Sequence, residues 1–142
     1  MKLDELYDPI ADAPFARFPT PGDSYHGTLV AFDMRPDRFS NQEIPTATLR
    51  LSEPTEDGDE YVHVSLRSAA LRREFGRAAH RAGRVDIDDG LGRDHIRITY
   101  IEDRESAGGN TFKVYRVEYT AVGSAAPIGA AELGEAAADP GF

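Results

Sequence analysis

Apolar and polar side chains alternate with a period of two along five stretches of the chain, and with a helical period along one. In a strand such alternation sends every second side chain to one face. The first stretch runs from about Tyr25 to Met34 after Pro21-Gly22-Asp23, with Gly27 inside it predicting a bulge or sharp bend. The second, Thr46 to Ser52, sets Ala47, Leu49 and Leu51 against Thr46, Thr48, Arg50 and Ser52. A turn around Asp57-Gly58 leads into the third, Tyr61 to Leu66, with Val62, Val64 and Leu66 inward and Tyr61, His63 and Ser65 outward. The fourth, His95 to Ile101, alternates Ile96, Ile98 and Tyr100 with Arg97 and Thr99. The fifth, Thr111 to Val122, sets Tyr115, Val117, Tyr119 and Ala121 against Phe112, Val114, Arg116 and Glu118.

Between the third and fourth stretches the period changes. Ser68 is placed to cap a helix that runs to about Ala82 and stops at Gly83, with Leu71, Phe75, Ala78 and Ala82 on one face. Five strands with one helix between the third and fourth predict a mainly β protein: a five-stranded Greek-key barrel of the OB-fold type. Before it, residues 1–21 hold Pro9, Pro14, Pro19 and Pro21, too many for a continuous helix, and read as an irregular arm. Residues 22–122 form the domain, and residues 123–142 an acidic Ala/Gly-rich tail that cannot support a packed core.

Charge modifies this picture. The formal net charge is −9, which by itself argues against a nucleic-acid partner. Its distribution softens that conclusion, because acids gather in the turns while the bases sit on strands and helix. The tail holds three acids and no base. Of the 16 bases only Lys2 and Lys113 are lysine; arginine suits bidentate phosphate contacts and base stacking, although a GC-rich coding sequence gives the same bias. With no cysteine there is neither a disulfide framework nor a thiolate metal site. No apolar run approaches the length of a membrane span, and Met1 to Tyr7 lacks the pattern of a signal peptide, so the cytoplasm is the expected compartment.

Enzyme motifs are not found, and neither a cofactor nor a metal is expected. Asp86-x-Asp88-Asp89-Gly90 begins like a calcium loop, but its glycine falls one position early and Arg97 occupies the place of the bidentate acid. The four histidines show no zinc spacing. A binding surface is the better candidate. Thr48, Arg50, Tyr61, His63, Ser65 and Arg97 are expected to share one face on three adjoining strands. Tyr61, Phe32 and Phe39 are the candidate stacking residues, and Arg35, Arg38, Arg50, Arg67 and Arg97 the candidate phosphate partners. The same residues would equally tile an ordinary solvated sheet. The helix arginines are expected to be solvated and to pair with Glu74.

Gly22-Asp23-x-x-x-Gly27-x-Leu29-Val30, the segment Leu71 to Ala82 followed by Gly83, and Lys113-Val114-Tyr115-Arg116-Val117-Glu118-Tyr119 together carry a resemblance. Over residues 22–122 the chain resembles the OB-fold single-stranded-DNA-binding proteins of actinobacterial phages and related actinobacterial proteins. The resemblance implies coating of single-stranded DNA during replication or recombination with little sequence preference, in the host cytoplasm if the chain is phage-encoded, and a possible homo-oligomer. Asp139, Pro140 and Phe142 look like the acidic, Phe-ended tip through which such proteins recruit replication or repair proteins; here Gly141 intervenes. The rival expectation is an OB-like barrel used for protein contact, as an assembly factor or inhibitor, which the −9 charge and the scarcity of outward aromatics favour.

Overall fold

The computed structural model describes residues 1–37 and 40–123. A short helix α1 (Leu3–Leu6) is followed by strands β1 (Ser24–Pro36), β2 (Glu43–Leu51) and β3 (Tyr61–Ser65), helix α2 (Ala69–Arg81), a 3-10 turn (Ile87–Gly90), and strands β4 (His95–Glu105) and β5 (Thr111–Thr120). All strands are antiparallel and lie in the order β3-β2-β1-β4-β5. The protein is therefore mainly β, a five-stranded sheet with one helix inserted between its third and fourth strands.

The period-two residues make the core. Leu29, Ala47, Leu49, Val62, Val64, Ile96, Ile98, Tyr100 and Val117 are buried on one face, and Leu71, Phe75 and Ala78 of α2 pack onto them. Truncating one of these, such as Leu49→Ala, costs about 2–5 kcal/mol through lost burial and the cavity left behind. Helix α2 forms where its signals place it. Ser68 Oγ accepts a hydrogen bond from Leu71 N at 3.2 Å, and Gly83 follows at φ +93, a left-handed conformation that glycine adopts without steric cost.

β1 is the long central strand and serves both neighbours, pairing with β2 from Gly27 to Pro36 and with β4 from Ser24 to Thr28. Gly27 is where β2 comes closest: a Cβ there would lie 2.0 Å from the carbonyl oxygen of Arg50. No register shift falls at Gly27; the one in this ladder lies between Leu29 and Ala31, where Val30 is left over. One extra residue reverses the alternation beyond it. Phe32 accordingly joins the core side, its ring 5.5 Å from that of Phe75.

The expected closure into a barrel would pair β3 with β5; among the described residues no ladder joins them, and the sheet is open. The N-terminal arm stands in the gap. Ala16 N donates to His63 O at 2.7 Å, and His63 N donates to Pro14 O at 2.9 Å, so the arm adds a short parallel bridge to the outer edge of β3. On the other side Lys113 Nζ of β5 donates to Phe18 O at 2.6 Å, and the buried Phe18 ring packs edge-on against Tyr25 and Tyr115. The arm is thus more ordered than its prolines predict, because its aromatics are held by both edges of the sheet.

A buried polar knot ties the opposite end of the fold. Arg84, just after α2, makes a two-pronged ion pair with Asp94 at 2.6 and 2.7 Å, and Asp94 also accepts from Tyr119 Oη (2.5 Å) and Val122 N (3.0 Å). Burial opposes charge on Asp94, but these donors hold its carboxyl below the usual range, and Arg84 stays charged. Gly90 leaves the room: a Cβ there would meet Asp94 Oδ2 at 1.8 Å. Neither Arg84 nor Asp94 stands out in the sequence, since each is one charge among many until the fold brings them together.

Candidate nucleic-acid interface

The sheet face opposite the core carries the polar half of each strand. Register fixes its layout. Arg50 lies across from Tyr61 on β3 and from Thr28 on β1, and Thr28 lies across from His95 on β4. One step along, His26 pairs with Arg97, which pairs with Glu118 on β5. Arg50, Tyr61 and Arg97 therefore share a face, although β1 lies between β2 and β4, so the three strands named from sequence are not adjoining. The exposed Arg50 has no ion-pair partner among the described residues, whereas Arg97 leans toward Glu118 at 3.6 Å.

His26 and His95 sit between these cations with ring centroids 5.6 Å apart. His95 lies 3.3 Å from Ser52 Oγ, and burial, His26 and Arg97 all lower its pKa. His26 Nδ1 is buried and has no hydrogen-bond partner among the described residues. No group of three metal-ligating side chains occurs among those residues. The acid-rich segment Asp86 to Gly90 is a turn, in which Asp86 Oδ1 accepts from Asp88 N at 2.9 Å.

The other half of this face is covered. Thr46, Thr48 and His63 are buried, against the outward, solvent-facing positions expected for Thr48 and His63. The arm covers His63. Phe15 meets the His63 ring edge-on at 5.3 Å, and the backbone of Ala11 and Ile10 lies close enough to act on the imidazole. Beneath it Thr48 Oγ1 and His63 Nδ1 are 2.7 Å apart, and His63 Nε2 is buried without a partner among the described residues. Burial, and then the nearby Arg35 charge, lower the His63 pKa and favour the neutral ring.

Other predicted contacts disperse. Phe32 is partly buried against the core, its ring beside Phe75 and not on the outer face. Arg35 lies at the far end of β1, bonded to Asp33 at 3.0 Å. Arg67, beyond β3, lies 3.6 Å from the buried Asp37 carboxylate and lines a cavity rather than the open face. Arg38, Phe39, Asp139, Pro140 and Phe142 lie outside the described residues. On α2, Arg77 and Arg81 approach Glu74 at 3.8 and 3.9 Å, as solvated helix arginines do.

One aromatic was missed. Phe112 is exposed near the tip of the β4–β5 hairpin and lies opposite Arg104, with Arg116 four residues along β5. A register shift between Tyr100 and Glu102 keeps Arg104 and Phe112 on the face that carries Arg97. The alternation already set Phe112 beside Arg116; reading it as a surface aromatic required only that pairing. Comparison of the chain with protein families, curated proteins and solved structures found no match.

Proposed function

We propose that this chain is a non-enzymatic binder of single-stranded DNA, taking unpaired strands across the uncovered half of its outer sheet face with little sequence preference. The observation that carries the reading is the cross-strand pair of Arg50, an exposed guanidinium without an acidic partner among the described residues, and Tyr61, with Arg97 on the same face. Bases stack on phenol and guanidinium planes, each contributing about 1–3 kcal/mol, while cations track the phosphates. An open sheet ordered β3-β2-β1-β4-β5 is what an OB barrel parted between its third and fifth strands would present, and the β2–β3 face and the β4–β5 hairpin are the parts such barrels use. The reading extends to a cytoplasmic protein that self-associates and recruits replication or repair proteins through Asp139, Pro140 and Phe142.

The test is a titration of labelled oligo-dT with the full chain at about 50 and 200 mM salt. Micromolar or tighter binding at the lower salt, weakening steeply at the higher, supports the reading; a flat titration at low ionic strength ends it. Replacing Arg50, Tyr61 and Arg97 together by alanine removes most of the affinity while the melting temperature stays unchanged.

A second reading is favoured by the −9 charge and by the arm, which covers His63 on the outer face: a barrel-like module for protein contact. Salt-sensitive binding to polyarginine with no binding to oligo-dT marks that outcome.

A further inference from the structure

Where β3 and β5 fail to pair with each other lies a cavity of about 680 Å³, bordered by Phe15 and Arg17 of the arm, Asp37 after β1, Arg67 after β3, Leu71 of α2 and Tyr115 of β5. Its volume lies within the range of small-molecule sites. Arg17 and Arg67 against Asp37 give the lining residues a net positive formal charge on a chain of net charge −9. Asp37 is already engaged by Arg67 and by Ser40 Oγ at 2.8 Å, whereas Arg17 has no ion-pair partner among the described residues. Leu71, Phe15 and Tyr115 supply apolar and aromatic lining. The N-terminal end of α2, at Ser68, adds a partial positive charge to the same lining.

A neighbouring depression differs in the balance that matters. It shares Arg17 but is lined by Asp23, Glu53 and Glu56, so an anion there would meet three carboxylates. The cavity beside α2 combines size, positive charge and ring surface.

We propose that this cavity binds a planar aromatic ligand carrying an anionic group, of the size of a nucleoside monophosphate, with the ring against Phe15, Leu71 and Tyr115 and the anion between Arg17 and Arg67. The site lies in the sheet's gap, apart from Arg50 and Arg97, and stands whether or not the outer face binds DNA.

Isothermal titration of the full chain with thymidine 5′-monophosphate, thymidine and inorganic phosphate tests it. The nucleotide is expected to bind with a dissociation constant below about 1 mM, at least tenfold tighter than thymidine or phosphate alone. Arg17→Ala weakens it about tenfold, as the loss of a charge-assisted contact does. Ser65→Phe, which fills the cavity from the edge of β3, abolishes it, with thermal melting confirming that both variants fold. Should Ser65→Phe unfold the chain, Ser68→Tyr fills the same space from the helix start. No heat up to about 10 mM nucleotide overturns the proposal, as does phosphate binding as tightly as the nucleotide or affinity unchanged in Arg17→Ala and the filled variant.

Discussion

The two halves of the outer sheet face are built from the same strands by the same alternation, yet they meet opposite fates. Around Arg50, Tyr61, His26, His95 and Arg97 the polar side chains reach solvent to differing degrees. A few residues away on β2 and β3, Thr46, Thr48 and His63 are buried, with the arm lying over His63. The difference does not arise in the strands. It arises because the sheet leaves β3 unpaired on one side, and an exposed edge recruits whatever backbone can satisfy it. Pro14 and Ala16 do so, and in running to that edge the arm carries Phe15 across His63. One half of the face is thereby structural and the other remains available for a ligand.

Breaking the arm's anchor should have the largest effect on this contrast. Phe18→Ala is expected to destabilise the protein by about 3–5 kcal/mol, the usual penalty for emptying a buried phenylalanine site, measured by urea unfolding. Arg50→Ala, on the bare half, should shift stability by less than about 0.5 kcal/mol. Next comes the buried pair: Thr48→Val removes the partner of His63 Nδ1 and should cost about 1–3 kcal/mol, since one buried polar atom of that ring already lacks a partner. Equal tolerance of Thr48→Val and Arg50→Ala in chemical denaturation would contradict the division of the face.

The pH dependence sharpens the same comparison at smaller scale. The folded state lowers the pKa of His63 and of His95 below the ordinary 6.5, so the unfolded chain binds more protons in the window below that value. Stability is therefore full above about pH 6.5 and falls as pH drops toward the folded pKa values. His63→Gln should flatten part of this slope in melting experiments between about pH 5 and 7, and His95→Gln the remainder. A His63→Gln variant with an unchanged pH slope would show that the covered imidazole titrates as if exposed.

How much of this the sequence disclosed depends on the range of the interaction responsible. The strands and α2 rest on local alternation, on Ser68 as cap and on Gly83 as stop, and all are legible. The fate of Phe32 is not, because it turns on one leftover residue at Val30, and no composition signal distinguishes a bulged strand from a regular one there. Thr48 and His63 have the right parity for the outer face, but both are buried, and the arm that covers His63 is distant in sequence. The Arg84–Asp94–Tyr119 knot is invisible for the same reason: three unremarkable polar residues become one buried network only when α2, β4 and β5 converge. That Arg50 and Tyr61 share a face is legible from their outward positions on neighbouring strands; that they stand directly opposite each other is fixed only by the register.

Unpaired DNA is proposed to lie across the bare half of the outer face. Amide chemical-shift mapping of the full chain during titration with oligo-dT tests it directly. Shifts are expected at Arg50, Tyr61, His95 and Arg97 and along Arg104 and Phe112, with α2 silent. Shifts confined to the arginines of α2, or none at saturating oligonucleotide, would contradict it.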